Sequence, residues 1–359
     1  MRFLNARYLL IPLLLVAVGL VVIACGDDEA EAPPPTATEA AATEQATPTS
    51  APATEAAKEP TDVTFMLDWT PNTNHAGVYI AKAKGWYEEA GLNVEIVEPG
   101  AGGVDQTVAS GGAHFGISVQ EAVIPAREQG IPIVAIAAVI EHNTSSLIAL
   151  GEAGIEGPGD LAGKTYGGWG GALETALISK LVECGGGDPS TVEYAVIGNV
   201  DYIVGMEQGD YDFVWIFDAW DGIRYTEVLG RDVSFVRFID HTDCIPDWYT
   251  PLIVTSESLI DEDSDLVEAF MEATARGYRY AIENPGEAAE ILLEAAPELD
   301  EALVKASAAY LAGRYTSDPD NWGRQELDVW TRFESFLREA GLTESAIDVE
   351  DAFTNDFLP

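Results

Sequence analysis

The stretch TDVTFMLDWTPNTNHAGVYIAKAKGWYEEAGLNVEIV, residues 61–97, decides the fold class. Residues 63–68 are rich in β-branched and aromatic side chains and read as a strand. Residues 76–90 read as a helix and 93–97 as a second strand, with Gly85 and Gly91 as turn punctuation. Strand, helix and strand in that order form a right-handed βαβ unit on a parallel sheet. Outward from this unit the alternation continues, with a helix predicted at 103–110, a strand at 114–118, a helix at 121–129 and a strand at 133–139. A second α/β series opens near Asp160. Residues 161–166 run into the glycine-rich turn 167–171, followed by a helix at 173–184, a strand at 192–197, a short helix at 202–208 and a strand at 213–217. Apolar residues return at 251–255, and amphipathic helices fill the chain from Asp265. This order predicts two α/β lobes joined by two crossovers, the first lobe (61–144 and 251–359) interrupted by the second (145–250). The crossovers are expected near 142–150 and 245–255.

Ahead of residue 61 the chain has another character. Arg2 and Arg7 precede an uncharged apolar run from Leu9 to Ala24, which ends in Val22-Ile23-Ala24-Cys25. Residues 1–24 read as a signal peptide; a retained membrane helix needs about 20 apolar residues. Small residues before Cys25 resemble a bacterial lipobox, which implies acylation of Cys25 and a place on the extracytoplasmic side of the cell membrane. After Cys25 the stretch to residue 60 is dominated by Ala, Thr, Pro and Glu and has no aromatic residue. It reads as a disordered tether, because such a composition cannot offset the entropy of ordering.

The charge narrows the ligand classes. The chain carries 61 Asp and Glu against 18 Lys and Arg, a net charge of −43. Nucleic acid is excluded as a partner, since it requires clustered basic residues, and a polyanionic ligand is disfavoured. Cys184 and Cys244 lack the close pairing of a zinc site; outside the cytoplasm they form one disulfide or stay as two buried thiols. His75, His114, His142 and His241 show no ligand spacing, so neither metal nor cofactor is expected.

From Leu67-Asp68-Trp69-Thr70-Pro71-Asn72-Thr73-Asn74-His75 through Gly77-Val78-Tyr79-Ile80-Ala81 and Lys84-Gly85-Trp86-Tyr87, the chain resembles the thiamine-precursor-binding and thiamine-biosynthesis family. The resemblance continues at 108–111, 115–118, 130–134 and 163–165 and reaches Asn284-Pro285. It implies the type II periplasmic-binding-protein fold and the work of a substrate-binding protein that serves the permease and ATPase of an ABC importer. It also contains an enzymatic branch, the fungal pyrimidine synthases, which carry a lysine for pyridoxal phosphate, a histidine soon after it and a cysteine-rich run. Here Ser118 stands at the lysine position and Ala122 or its neighbour at the histidine position, and the region 244–249 keeps one thiol. Without an amine for a Schiff base, the reading is a binding protein and not an enzyme.

Ligands of two-lobed α/β proteins sit at the carboxyl ends of strands, where loops of both sheets face a cleft. Trp69, Trp169, Trp220 and Trp248 fall at such places, with Tyr249 beside the last; Trp215 lies inside a strand and reads as core. Polar partners are sought in Asn72, His75, Ser118, Asn143, Thr144 and Glu174, with Asp68 and Asp218 behind them. Each also has an ordinary use as a turn, cap or helix-end group. The turn 167–171 precedes a helix, yet Glu174 in the first turn repels phosphate, and the spacing fits neither phosphate-binding fingerprint. It reads as room for an aromatic ligand beside Trp169. A tryptophan-rich branch of this kind resembles riboflavin-binding lipoproteins, so riboflavin is the expected ligand and formylaminopyrimidine the alternative.

Overall fold

The computed structural model describes residues 59–100 and 102–359. The leader, Cys25 and the tether as far as residue 58 lie outside the described residues. Among the described residues no helix is long and apolar enough to cross a membrane.

Ten strands build two sheets. The first has the order β2-β1-β3-β10-β4, from β1 (Thr61–Met66), β2 (Leu92–Val97), β3 (Phe115–Ser118), β4 (Ile133–Ala138) and β10 (Leu252–Ser256). The second has the order β7-β6-β8-β5-β9, from β5 (Ser145–Leu150), β6 (Thr165–Gly168), β7 (Glu193–Val196), β8 (Phe213–Phe217) and β9 (Val233–Arg237). β1 pairs in parallel with β2 and β3, and β6 with β7 and β8. Each sheet is then completed by one strand of opposite direction: β10 runs antiparallel to β3 and β4, and β5 antiparallel to β8 and β9. The chain therefore passes between sheets twice, through 139–144 and through 238–251. Two α/β lobes joined by two crossovers are the type II periplasmic-binding-protein fold.

The buried strands are what their sequence requires. β4, IVAIAA, is buried at every residue, the continuous apolar run of a strand covered on both faces. On one side of the first sheet Phe65, Phe115 and Tyr87 gather around Phe270 of the helix Ser264–Glu283; the Phe115 and Phe270 rings lie 3.9 Å apart at 7°. The helix expected over 76–90 is two helices, Ala76–Ala83 and Trp86–Glu89, because Gly85 between them takes φ 73°.

Three strands escaped the sequence reading. The stretch expected as a crossover at 142–150 holds β5, so the first passage is only 139–144; paired serines at its start hid an otherwise apolar strand. β6 ends in two glycines, which are poor strand formers, and β9 ends in Arg237 and follows the charged pair Arg231-Asp232. The cysteine alternative resolves as a disulfide, Cys184–Cys244, with Cα atoms 5.8 Å apart. It joins the end of helix Ala172–Cys184 to the second crossover.

Candidate functional site

A cavity of about 430 Å³ lies where the two lobes and both crossovers meet. The first lobe supplies Asp68, Trp69 and Asn72 from the loop after β1 and Val119 after β3. The second supplies Trp169 after β6, Asn199, Val200 and Tyr202 after β7, and Phe217, Ala219, Trp220 and Asp221 at the end of β8. Thr144, Thr250 and Pro251 come from the crossovers. Carboxyl ends of parallel strands in both sheets thus converge on one space.

Its walls are aromatic. Trp69 and Trp169, from opposite lobes, are 48% and 55% exposed and meet edge to face, with centroids 6.4 Å apart at 87°. Trp220 rides on the wide π-helical turn Asp218–Gly222, a type of irregularity that often marks functional sites. Polar groups of the first loop are pre-set by their own bonds. The fully buried His75 accepts the Asn72 N–H at Nδ1 (3.2 Å), so its proton sits on Nε2 and is donated to Asp68 Oδ1 at 2.7 Å. Asn72 Oδ1 accepts the Asn74 N–H at 2.9 Å and its amide donates to the Thr70 carbonyl. His75 therefore acts behind the wall, holding Asp68 in place.

A second cavity of about 380 Å³ shares Trp169, Tyr202, Phe217 and Asp221 with the first, and adds Glu121, Tyr166, Leu173, Glu174 and Trp215. Burial pushes the Glu121 carboxyl up to about 7, although Trp248 donates its indole N–H to it at 2.9 Å. Asp221 is pushed up to about 6, by burial above all, with Arg224 opposing and Asp201 adding. Glu174 is fully engaged in bracing its own turn: Oε1 accepts from the Tyr166 hydroxyl (2.7 Å) and the Trp169 N–H (3.0 Å), and Oε2 from the Gly171 N–H (2.6 Å). A Cβ on Gly168 would fall 2.6 Å from Glu174 Oε1 and 2.2 Å from the Tyr166 ring. That glycine is needed for the brace and not, as expected from sequence, to make room for a ligand. Neither cavity is lined by Lys, Arg or His, and among the described residues no group of His, Cys, Asp or Glu is arranged to hold a metal ion.

The structure brings Asp68, Trp69, Asn72, Thr144, Trp169 and Trp220 to the first cavity and Glu174 to the second. It does not bring the others there. Trp248 is fully buried, stacked on Phe333 with centroids 4.9 Å apart. Tyr249 is buried too, and its hydroxyl accepts the Glu326 N–H at 2.8 Å, facing a different crevice. Asn143 caps its own turn, Oδ1 accepting from the Ser145 N–H at 2.7 Å. Ser118 lines a neighbouring crevice of the first lobe with Asp105. Asp218 is held by Ser146 and Arg237 and is a structural group. Proximity to a strand end had placed these residues near the cleft, but side-chain direction decides which side of the loop they serve. Asn199, Val200, Tyr202, Phe217, Asp221, Thr250 and Pro251 were not singled out; the strand-end rule applied to β7 points to the first three.

The chain is similar to several known proteins. A formylaminopyrimidine-binding protein of Halalkalibacterium halodurans is 28% identical over 302 residues, 82% of this chain and 89% of that one. Riboflavin-binding protein RibY of Chloroflexus aurantiacus is 29% identical over 356 residues, 96% of each chain. A 4-amino-5-hydroxymethyl-2-methylpyrimidine phosphate synthase of Legionella pneumophila is 26% identical over 304 residues, 83% of this chain and 92% of that one. Among solved structures, the periplasmic aliphatic sulphonate binding protein SsuA of Escherichia coli superposes with a TM-score of 0.64 at 14% identity, covering 82% of this chain and 97% of that one. The family model described as NMT1/THI5 like matches residues 72–288, and the chain belongs to that family.

Proposed function

We propose that this chain is an extracytoplasmic substrate-binding lipoprotein of an ABC importer and that its ligand is riboflavin. The observation that carries the reading is the inter-lobe cavity itself, walled by Trp69, Trp169, Trp220, Tyr202 and Phe217, with acids as its only charged groups. About 430 Å³ falls in the ~300–1,000 Å³ range of small-molecule sites. Aromatic pairs contribute ~0.5–1.5 kcal/mol each beyond area burial, and a tricyclic isoalloxazine presents more face to five aromatic walls than one pyrimidine ring does. Absence of a basic wall residue favours the neutral vitamin over its phosphate. Two crossovers provide hinges for closure, and closure is what a permease and its ATPase read in a protein of this type. No lysine lines either cavity, and Ser118 stands where the synthases carry theirs, which disfavours an enzyme. Acylation of Cys25 would hold the protein to the membrane.

A second reading, formylaminopyrimidine, is favoured by Asp68 and Asn72, which suit the amino edge of a pyrimidine, and by the Halalkalibacterium relative. Calorimetric titration of the detergent-solubilised full chain with riboflavin, flavin mononucleotide and formylaminopyrimidine separates them. Riboflavin is expected to bind and flavin mononucleotide to bind far more weakly; heat from the pyrimidine with none from riboflavin reverses the assignment.

A further inference from the structure

A flat ring seated among Trp69, Trp169 and Trp220 leaves the second cavity unused. This space adjoins the aromatic slot, for Trp169, Tyr202, Phe217 and Asp221 wall both. Its chemistry differs. Glu174 has both oxygens committed to the turn, so the acceptors that remain are Asp221 and Glu121. Glu121 belongs to the helix Gln120–Glu128 of the first lobe, whereas Tyr166, Leu173 and Trp215 belong to the second. Trp215, on β8, also lines the cavity, and its indole N–H is buried with no partner among the described residues. A buried donor left unpaired is costly, and a ligand acceptor removes that cost.

We propose that this second cavity is a subsite for the neutral, hydroxylated chain of a ligand whose planar ring occupies the aromatic slot. Glu121 and Asp221 accept from chain hydroxyls, and Trp215 donates to one. A hydroxyl both donates and accepts, so one chain satisfies acceptors and donor together, which an alkyl chain cannot. A phosphate or carboxylate tail faces Glu121, Glu174 and Asp221 with no cation among the wall residues. The inference rests on the riboflavin reading and adds that the chain, more than the ring, sets selectivity. Because Glu121 reaches in from the opposite lobe, a chain bound to it also ties the lobes together.

Quenching titrations of the full chain with riboflavin and with lumiflavin, which has the same ring and a methyl in place of the chain, test it. Riboflavin is expected to bind about tenfold or more tightly than lumiflavin. Leu173→Trp, which fills the second cavity, should bring riboflavin down to the lumiflavin level and leave lumiflavin within about threefold. Glu121→Gln, which keeps the shape and an acceptor for Trp248, should weaken riboflavin alone. Equal affinities in the wild type, or equal losses of both flavins in the two variants, overturn the subsite while leaving the flavin reading intact. Failure of both flavins to bind overturns both.

Discussion

Trp169 and Trp248 each follow or precede a strand beside the cleft, and they end in opposite environments. Trp169 is 55% exposed, lines both cavities and meets Trp69 across the lobe boundary. Trp248 has no exposed surface: it stacks on Phe333, tilts against Phe238 at 5.7 Å, receives the edge of Trp215 at 6.2 Å and bonds Glu121. What separates them is the neighbour that covers each loop. The second crossover is clamped beneath the helix Leu327–Glu339, which carries Phe333, while Trp169 after β6 faces the cavity and meets Trp69 of the other lobe. The exposed indole is open to the cavity proposed as the binding site; the covered one packs the second crossover.

The largest consequence of that contrast is in stability. Trp248→Ala removes a fully buried indole and leaves the Glu121 carboxyl without its donor, so a loss of ~3–5 kcal/mol is expected in urea unfolding. A loss under ~1 kcal/mol would mean that the crossover is held by something else, and the contrast would fail at its buried end. Trp169→Ala should do the reverse. Riboflavin affinity falls about tenfold as one stacking face is lost, while unfolding free energy moves within ~0.5 kcal/mol, as for an exposed side chain. Unchanged affinity removes Trp169 from the site and breaks the contrast at its exposed end.

Much of the architecture was legible because it depends on period and punctuation. Residues 61–97 announced the first βαβ unit, and continuous apolar runs marked β4 and β10. The strands that hid were those whose identity comes from tertiary pairing: β5 begins with serines, and β6 is glycine-rich because Tyr211 and Ile197 crowd Gly167 while Tyr166 and Glu174 crowd Gly168. The site was legible as a set of loops and less so as a set of side chains. Trp69, Asn72 and Trp169 line the cavity where the strand-end rule placed them. Trp248 and Tyr249 were placed nearby by the same rule, yet the helix that covers them lies about 80 residues later in the chain, beyond any local signal. Tyr202 and Asp221 went unread because a tyrosine opening a helix and an aspartate in a wide turn look like ordinary surface residues.

The smallest effect concerns the same crossover that Trp248 anchors, and it measures how far packing outweighs charge there. His142 of the first crossover bonds Asp247 of the second, Nδ1 to Oδ2 at 2.7 Å, and Asp247 Oδ1 also accepts the Asn143 N–H at 3.0 Å. The hydrogen bond to Asp247 raises the His142 pKa above its ordinary value, partial burial opposes it, and the charges of Asp247 and Glu141 add to the rise. Asp318, Arg324 and Glu326 line the same crevice. A histidine raised on folding contributes stability that is fully present below its unfolded pKa of about 6.5 and is lost as pH rises through the higher folded value. The ring is 63% exposed, so solvent screening limits the pair to ~0–1 kcal/mol, less in high salt. The difference in unfolding free energy between wild type and His142→Ala should therefore be larger near pH ~5 than near pH ~9, and should shrink as salt is added. Because the Asn143 bond to Asp247 survives the substitution, the crossovers stay joined and the comparison isolates the charged pair. A difference that grows with pH would reverse the sign and show that His142 is held neutral in the fold; one that rivals the Trp248→Ala loss would show that charge, and not the stacked indole, fixes the hinge.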